Sequence, residues 1–413
     1  MAVRLVIVES PAKARTLGRF LGPGYSIVAS MGHVRDLPTW KMGLEIENGF
    51  LPQYEVIKGK TKVVQGIKQA AAKAREVYLA TDPDREGEAI AWHLSEVAGL
   101  SNGSAPRRVV FHEITEEAVL GAFRHPRPRD MNLVQAQQAR RILDRLVGYM
   151  LSPLLWHKVA RGLSAGRVQS AALRLVVDRE REIQAFVSQE YWTIEIAFVK
   201  GQQQFRARLV GVKDAAARGA RPLELPNEAA ATAIAQELEA ARYAVERVQH
   251  KEVRRNPAPP FITSTLQQEA YRKLGFGGEH TMRLAQQLYE GIEIGDEGAV
   301  GLITYMRTDS TRVAASAVGE TRDYIGQRFG PEYLPAKPHI FTRKVKGAQE
   351  AHEAIRPTRI SREPDSLQPH LNRDQLRLYE LIWKRMLASQ MAAAIFYNTK
   401  VDINAKNNKS GKS

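Results

Sequence analysis

The apolar run Leu5-Val6-Ile7-Val8 passes through Glu9 and Ser10-Pro11 into a helical pattern, and residues 77–80 do the same through an acidic turn. This repeat constrains the chain most. Runs so uniformly apolar suit strands buried on both faces, as in parallel sheets. Parallel strands in turn need helical crossovers. Ser10 and Pro11 supply an N-cap and an N1 proline for a helix to about Phe20. Thr81-Asp82-Pro83-Asp84-Arg85-Glu86-Gly87 leads into a second helix over 88–97, and residues 108–111 read as a third strand. The opening is therefore α/β, with a mostly parallel sheet and its site at the strands' carboxyl ends.

Further along, helical periodicity covers 133–151, where Ser152-Pro153 marks a stop, and 166–185. Residues 191–198 and 204–210 read as strands and 228–241 as a helix. The proline-rich run Arg254-Arg255-Asn256-Pro257-Ala258-Pro259-Pro260 marks a boundary before a largely helical stretch over 262–390. Residues 404–413, poor in anything to bury, read as a disordered tail.

Composition narrows the function classes. With 413 residues, the chain has room for several domains at about 150 residues each. A formal net charge of +15, spread along the chain rather than gathered in one tail, points to a polyanionic partner, nucleic acid first. The absence of cysteine excludes disulfides, thiolate zinc sites and cysteine nucleophiles, and fits a reducing cytoplasm. The opening apolar run is too short for a signal peptide, and no window approaches the ~18 apolar residues of a membrane span. Gly59-Lys60-Thr61 and Gly411-Lys412-Ser413 resemble the end of an ATP-binding loop. Where that motif needs its first glycine, the chain has Tyr54 and Lys406.

The densest chemical signal is Asp82-x-Asp84-x-Glu86 after a strand. Three crowded carboxylates repel one another unless a cation compensates, and oxygen-only ligands favour Mg²⁺. A bare triplet of this kind is equally a charged turn capping the next helix. Glu9, leaving a second strand of the same sheet, can face the same crevice. Lys13 sits in a first helical turn, where a cation opposes the dipole; a phosphate at that N-terminus would resolve the conflict. In the extended stretch 301–310, Tyr305 and Arg307 fall on one face. A phenol, with a pKa of about 10, needs help to attack phosphorus, and a guanidinium supplies it. On the helix over 133–151, Arg141, Arg145 and Tyr149 share one face, able to hold phosphates and stack a base. Asp144 lies beside it.

Six segments, LVIVESPAKA, GHVRDLP, TDPDREGEAIAWH, LSAGRVQS, YMRTDSTRV and AHEAIRPT, occur in this order. Together they resemble the type IA DNA topoisomerases, on the bacterial topoisomerase I branch. The resemblance implies a Toprim α/β domain over 1–128, with 36–60 as an insertion contacting the fourth domain. It implies a helical single-strand-binding domain over 129–188, the first limb of a β-rich arch over 189–254, and a helical domain over 255–390 carrying the nucleophile. Residues 391–413 would be an arch remnant and tail. The fold class is thus multidomain α/β plus α with a partial β-rich arch.

The same resemblance implies Tyr305 as nucleophile, Arg307 as transition-state arginine, Glu9 and Lys13 as active-site residues, and Glu9, Asp82, Asp84 and Glu86 as Mg²⁺ ligands. Along the DNA groove it places Arg140, Arg141, Asp144 and Trp156, with His33 near it, beside Arg145 and Tyr149 of the basic helix face. Ser164, Ala165, Gly166, Arg167, Val168 and Gln169 follow, and His352 near the scissile phosphate. The implied activity is ATP-independent relaxation of negatively supercoiled DNA through a 5′-phosphotyrosine on a single strand, by a cytoplasmic, nucleoid-associated bacterial monomer without zinc. The chain departs from the pattern at Gly277-Gly278-Glu279-His280, where the family is more basic, and after about Lys400, where the family continues its arch. An incomplete ring leaves stand-alone relaxation open. The alternatives are a fragment that only binds or cleaves single-stranded DNA, and a Toprim metal-dependent nuclease.

Overall fold

The computed structural model describes residues 3–100, 106–212, 221–341 and 353–406. The chain divides into two compact units, Met1–Arg167 with Asn256–Ala393, and Val168–Arg255 with Ala394–Ser413.

In the first unit, strand β1 (Arg4–Val8), helix α1 (Pro11–Leu21) and strand β2 (Tyr25–Ala29) open the chain. Helix α2 (Thr61–Lys73), strand β3 (Val77–Leu79), helix α3 (Arg85–Ala98) and strand β4 (Arg107–Arg108) follow. The four strands form one parallel sheet in the order β2-β1-β3-β4, with Val6 opposite both Ile27 and Tyr78. The chain turns to one side of β1 for β2 and returns to the other side for β3. Their carboxyl ends therefore flank a topological switch point, where such sheets leave a crevice. Side-chain alternation splits the core. Leu5, Ile7 and Leu79 pack with Val64, Ile67, Ile90 and Leu94 of α2 and α3. Val6, Val8, Tyr78 and Ala80 join a larger core reaching Leu302, Tyr305 and Met306.

Helices α4 (Glu116–Arg124) and α5 (Met131–Lys158) come next, the latter packed on α3. The stop expected at Ser152-Pro153 does not occur: α5 runs through Pro153. A proline forfeits one backbone bond, and the last turns are secured elsewhere. Trp156 Nε1 donates to Leu163 O at 2.6 Å, and the Ser152 hydroxyl accepts from Ala165 N at 3.1 Å.

In the second unit, helix α6 (Arg167–Ala185) leads to an antiparallel hairpin of β5 (Glu195–Lys200) and β6 (Gln203–Arg208). Helix α7 (Glu228–Glu239) is capped by Asn227 and followed by strand β7 (Arg242–Arg255). Helices α8 (Thr263–Leu274), α9 (Gly278–Glu290), α10 (Ala315–Arg328) and α11 (Arg373–Gln390) return to the first unit, and strand β8 (Ala394–Lys406) to the second. β8 pairs with β7 from Arg255↔Ala394 to Arg242↔Lys406. Residues 404–406, expected as tail, are thus strand; backbone pairing along a two-stranded ribbon needs no apolar side chains. The rest of the expected tail lies outside the described residues. Among the described residues, no helix is long and apolar enough to cross a membrane.

Candidate active site

The crevice between β1 and β3 gathers most of the chemistry. Ser10 caps α1, accepting from Lys13 N at 3.2 Å, and this sets Lys13 directly below the switch point. Lys13 is fully buried, its ammonium 2.8 Å from Glu9 Oε1 and 3.0 Å from Asp82 Oδ1. The phosphate invoked to balance Lys13 is not needed, because two carboxylates already do so. Burial pushes the lysine pKa down, but Asp82 and Glu9 outweigh it and hold it raised. Burial, then the charge of Asp82, pushes Glu9 up to about 8, against Lys13. Burial pushes Asp82 up as well, but Lys13 holds it below the usual carboxylate range. At neutral pH this cluster therefore keeps a proton on Glu9 beside a charged Lys13–Asp82 pair.

The acidic turn is shaped from behind. Asp84 Oδ1 caps α3 by accepting from Gly87 N at 2.8 Å. A Cβ at Gly87 would lie 2.1 Å from Asp82 O, so a larger residue would displace the turn. Arg108, fully buried, donates to Thr81 O at 2.8 Å, Leu79 O at 3.1 Å and Asp82 O. Its Nε reaches Glu88 Oε2 at 3.0 Å, and Arg127 and Asp130 N also bind Glu88. Sequence reasoning missed Arg108 and Glu88. The available signal was an arginine in the otherwise apolar run Arg108-Val109-Val110-Phe111, and a second glutamate after Gly87.

Tyr305 enters from the other side. Residues 301–305 are extended between two flanking segments. Gly301 N and Tyr305 N donate to Ile114 O and His112 O at 2.9 and 2.8 Å. Thr304 N donates to Arg356 O at 2.9 Å. The Tyr305 hydroxyl donates to Asp84 Oδ2 at 2.7 Å, and Arg307 Nη1 lies 3.6 Å from the same oxygen. Tyr289, unremarked in the sequence, meets the Tyr305 ring edge-on at 5.2 Å. Burial, then Asp82 and Asp84, raises the Tyr305 pKa far above that of a free phenol, while Arg307 opposes them. The phenol is held protonated as a donor to Asp84. Glu86 completes the rim, with Gln137 Nε2 at 3.1 Å and His33 Nε2 at 3.7 Å.

The expected groove residues divide. Arg141 binds the Asp36 carboxylate, and Arg145 Nη1 donates to Pro38 O at 2.7 Å and to the Tyr149 hydroxyl at 2.8 Å. Tyr149 donates to Thr39 O at 2.7 Å. This face of α5 grips residues 36–41 instead of standing open. Arg140 and Asp144 lie beside it, with Arg167 Nε 2.8 Å from Asp144 Oδ1. Ala165 is buried, Trp156 and Ser164 are exposed, and Gly166 lies between Ala165 and α6. Val168 and Gln169 begin the second unit. His352 lies outside the described residues.

A family model described as "DNA topoisomerase" matches residues 128–412, and one described as "Toprim domain" matches residues 4–114. The first match runs past Lys400, where the resemblance was expected to end. The full-length structure of topoisomerase I from Thermotoga maritima is similar to this chain, at 43% identity and a TM-score of 0.82. The alignment covers 99% of this chain and 64% of that one, so the chain spans less than two thirds of its length.

Proposed function

The chain belongs to the DNA topoisomerase family, and on that premise we propose that it relaxes negatively supercoiled DNA without ATP, breaking one strand through a 5′-phosphotyrosine, passing another and resealing. The observation that carries this reading is the 2.7 Å contact of the Tyr305 hydroxyl with Asp84, with Arg307 alongside. A nuclease using the carboxylates alone would leave this tyrosine without a role.

In the proposed cleavage, the Tyr305 oxygen attacks the phosphorus, the 3′ oxygen leaves, and a phosphotyrosine forms. Arg307 grips the non-bridging oxygens and offsets the charge that develops on them. Asp84 orients the phenol and accepts its proton. Glu9, protonated near neutral pH, supplies a proton to the leaving 3′ oxygen, and Lys13 holds Glu9 in place. Resealing reverses each transfer.

Among the described residues, no three acidic or histidine side chains converge into a metal cage. The oxygen-only donors nevertheless fit a hard cation that keeps its waters and takes one or two carboxylates plus substrate phosphate. Asp84 and Glu86 on the rim would hold Mg²⁺, since Glu9 and Asp82 are already bridged by Lys13. When bound, it supplies charge neutralisation and in-line alignment of phosphate and 3′ hydroxyl. The test titrates Mg²⁺ on negatively supercoiled plasmid with the parent and with Asp84→Asn plus Glu86→Gln. Relaxation should stall in the double variant. Relaxation at the parent's Mg²⁺ dependence would reduce the acidic turn to a helix cap. A parent that captures oligonucleotide but never relaxes plasmid would support the cleaving-fragment reading instead.

For DNA contacts, α5 separates two kinds of arginine. Arg140→Ala should lower the slope of log affinity against log salt for a single-stranded oligonucleotide by ~0.7, one phosphate contact. Arg145→Ala should leave that slope unchanged while freeing residues 36–41 to proteolysis, since its guanidinium holds the carbonyls of that segment. Fluorescence anisotropy over a salt series measures the slopes. Identical slopes for the two variants would remove this division of roles.

A further inference from the structure

The extended segment that presents Tyr305 is held on both flanks, and one buried side chain crosses from one flank to the other. On one side, Gly301 N and Tyr305 N bind the carbonyls of Ile114 and His112. On the other, Thr304 N binds Arg356 O and the Thr304 hydroxyl donates to Ala354 O at 2.7 Å. The Arg356 guanidinium is 6% exposed, and its Nη2 lies 2.9 Å from Glu113 Oε2 and 2.7 Å from Glu353 Oε2. Glu113 belongs to the Toprim-side flank. Glu353 belongs to the flank that carries Arg356 itself.

We propose that Arg356 is a positioning residue whose ion pair with Glu113 latches the Tyr305 segment 301–305 onto the Toprim-side segment 111–114, and that this latch governs resealing more than cleavage. The inference rests on the reading of Tyr305 as nucleophile. Its physical basis is connectivity. Before cleavage, the intact DNA strand itself bridges the two sides. After cleavage, one DNA end is bonded to Tyr305 and the other is held by the carboxylate side. Contacts that tie 301–305 to its two flanks then help keep the ends in register, and a charge-assisted pair with an almost fully buried guanidinium is among the strongest of these. The two carboxylates on one guanidinium leave a net negative charge. Neutralising either one still leaves a balanced pair, so both single variants should fold.

The test compares Glu113→Gln with Glu353→Gln. Each removes one carboxylate from the same guanidinium, but only the first breaks the bridge between flanks. On an oligonucleotide labelled 3′ of the break, Glu113→Gln should lengthen the lifetime of the covalent complex after a salt chase about fivefold, since it takes the charge assistance from one hydrogen bond and leaves a neutral acceptor. Glu353→Gln should change it less than about twofold on the same scale. Equal lifetimes in the two variants, or an unchanged lifetime in Glu113→Gln, would overturn the latch. Amide exchange without DNA separates this failure from failure of the nucleophile reading. The Gly301 and Tyr305 amides should exchange about fivefold faster in Glu113→Gln and stay near the parent rate in Glu353→Gln. If the parent forms no covalent complex, the catalytic reading falls, and uniform exchange across the three proteins sinks the latch on its own.

Discussion

Tyr305→Phe is expected to remove covalent DNA capture entirely while leaving single-strand affinity within about twofold of the parent. The substitution deletes one oxygen, the proposed nucleophile. The ring remains, and with it most of what holds this residue. Tyr305 is buried in the larger core and packs edge-on against Tyr289, contacts that phenylalanine preserves. The bond to Asp84 Oδ2 is lost, but that acceptor keeps Arg307 beside it, so losing it should cost about 1 kcal/mol of stability. Denaturing electrophoresis after incubation with a labelled oligonucleotide reads the capture, and anisotropy reads the binding. An adduct in Tyr305→Phe would move the nucleophile elsewhere. Loss of binding together with capture would mean that the phenol holds DNA instead of cutting it.

How far this site was legible in advance depended on the range of each interaction. The strand–turn–helix units were readable because their signals are local: an uninterrupted apolar run, a serine cap, a proline at the first helical position. The convergence of Glu9 with Asp82 and Asp84 followed from topology, since parallel strands put their carboxyl ends on one side. Periodicity correctly put Arg141, Arg145 and Tyr149 on one helix face, yet it carries no information about what covers that face. Here it is covered by residues 36–41. The continuation of α5 past Pro153 depends on bonds to Leu163 and Ala165, beyond the reach of a local breaker rule. Residues 404–406 have no strand signature because their pairing is with β7, far away in sequence. Buried arginines were the least visible. Arg108 had one local sign, its place at the head of the apolar run 108–111, but what each of Arg108 and Arg356 binds lies in distant carbonyls and carboxylates.

Arg108→Met should be the most destabilising of the single changes considered for the crevice. It withdraws donors from Leu79 O, Thr81 O and Asp82 O and leaves Glu88 without one of its cations. Breaking a buried pair by removing one partner costs about 3–5 kcal/mol, which for a unit of this size lowers Tm by on the order of 10 °C. The acidic turn should loosen with it, since the three carbonyls belong to the end of β3 and the turn that follows. A pH series separates this account from general loss of packing. Burial pushes the Glu88 pKa up, but Arg108, Arg127 and Asp130 N outweigh it and hold it below the usual carboxylate range. A lowered folded pKa means that the Glu88 contribution is fully present above its unfolded value and is lost as pH falls through the folded one. Without Arg108 the burial cost is less well opposed, so Glu88 in the variant takes up its proton at higher pH than in the parent. The stability gap between parent and variant should therefore be full at neutral pH and shrink on acidification, as pH falls through the Glu88 pKa of the variant towards that of the parent. Urea denaturation of both proteins at pH 7 and pH 4 measures it. A gap that stays constant would assign the loss to packing around the arginine stem, and a gap that widens on acidification would refute the charged Glu88–Arg108 pair.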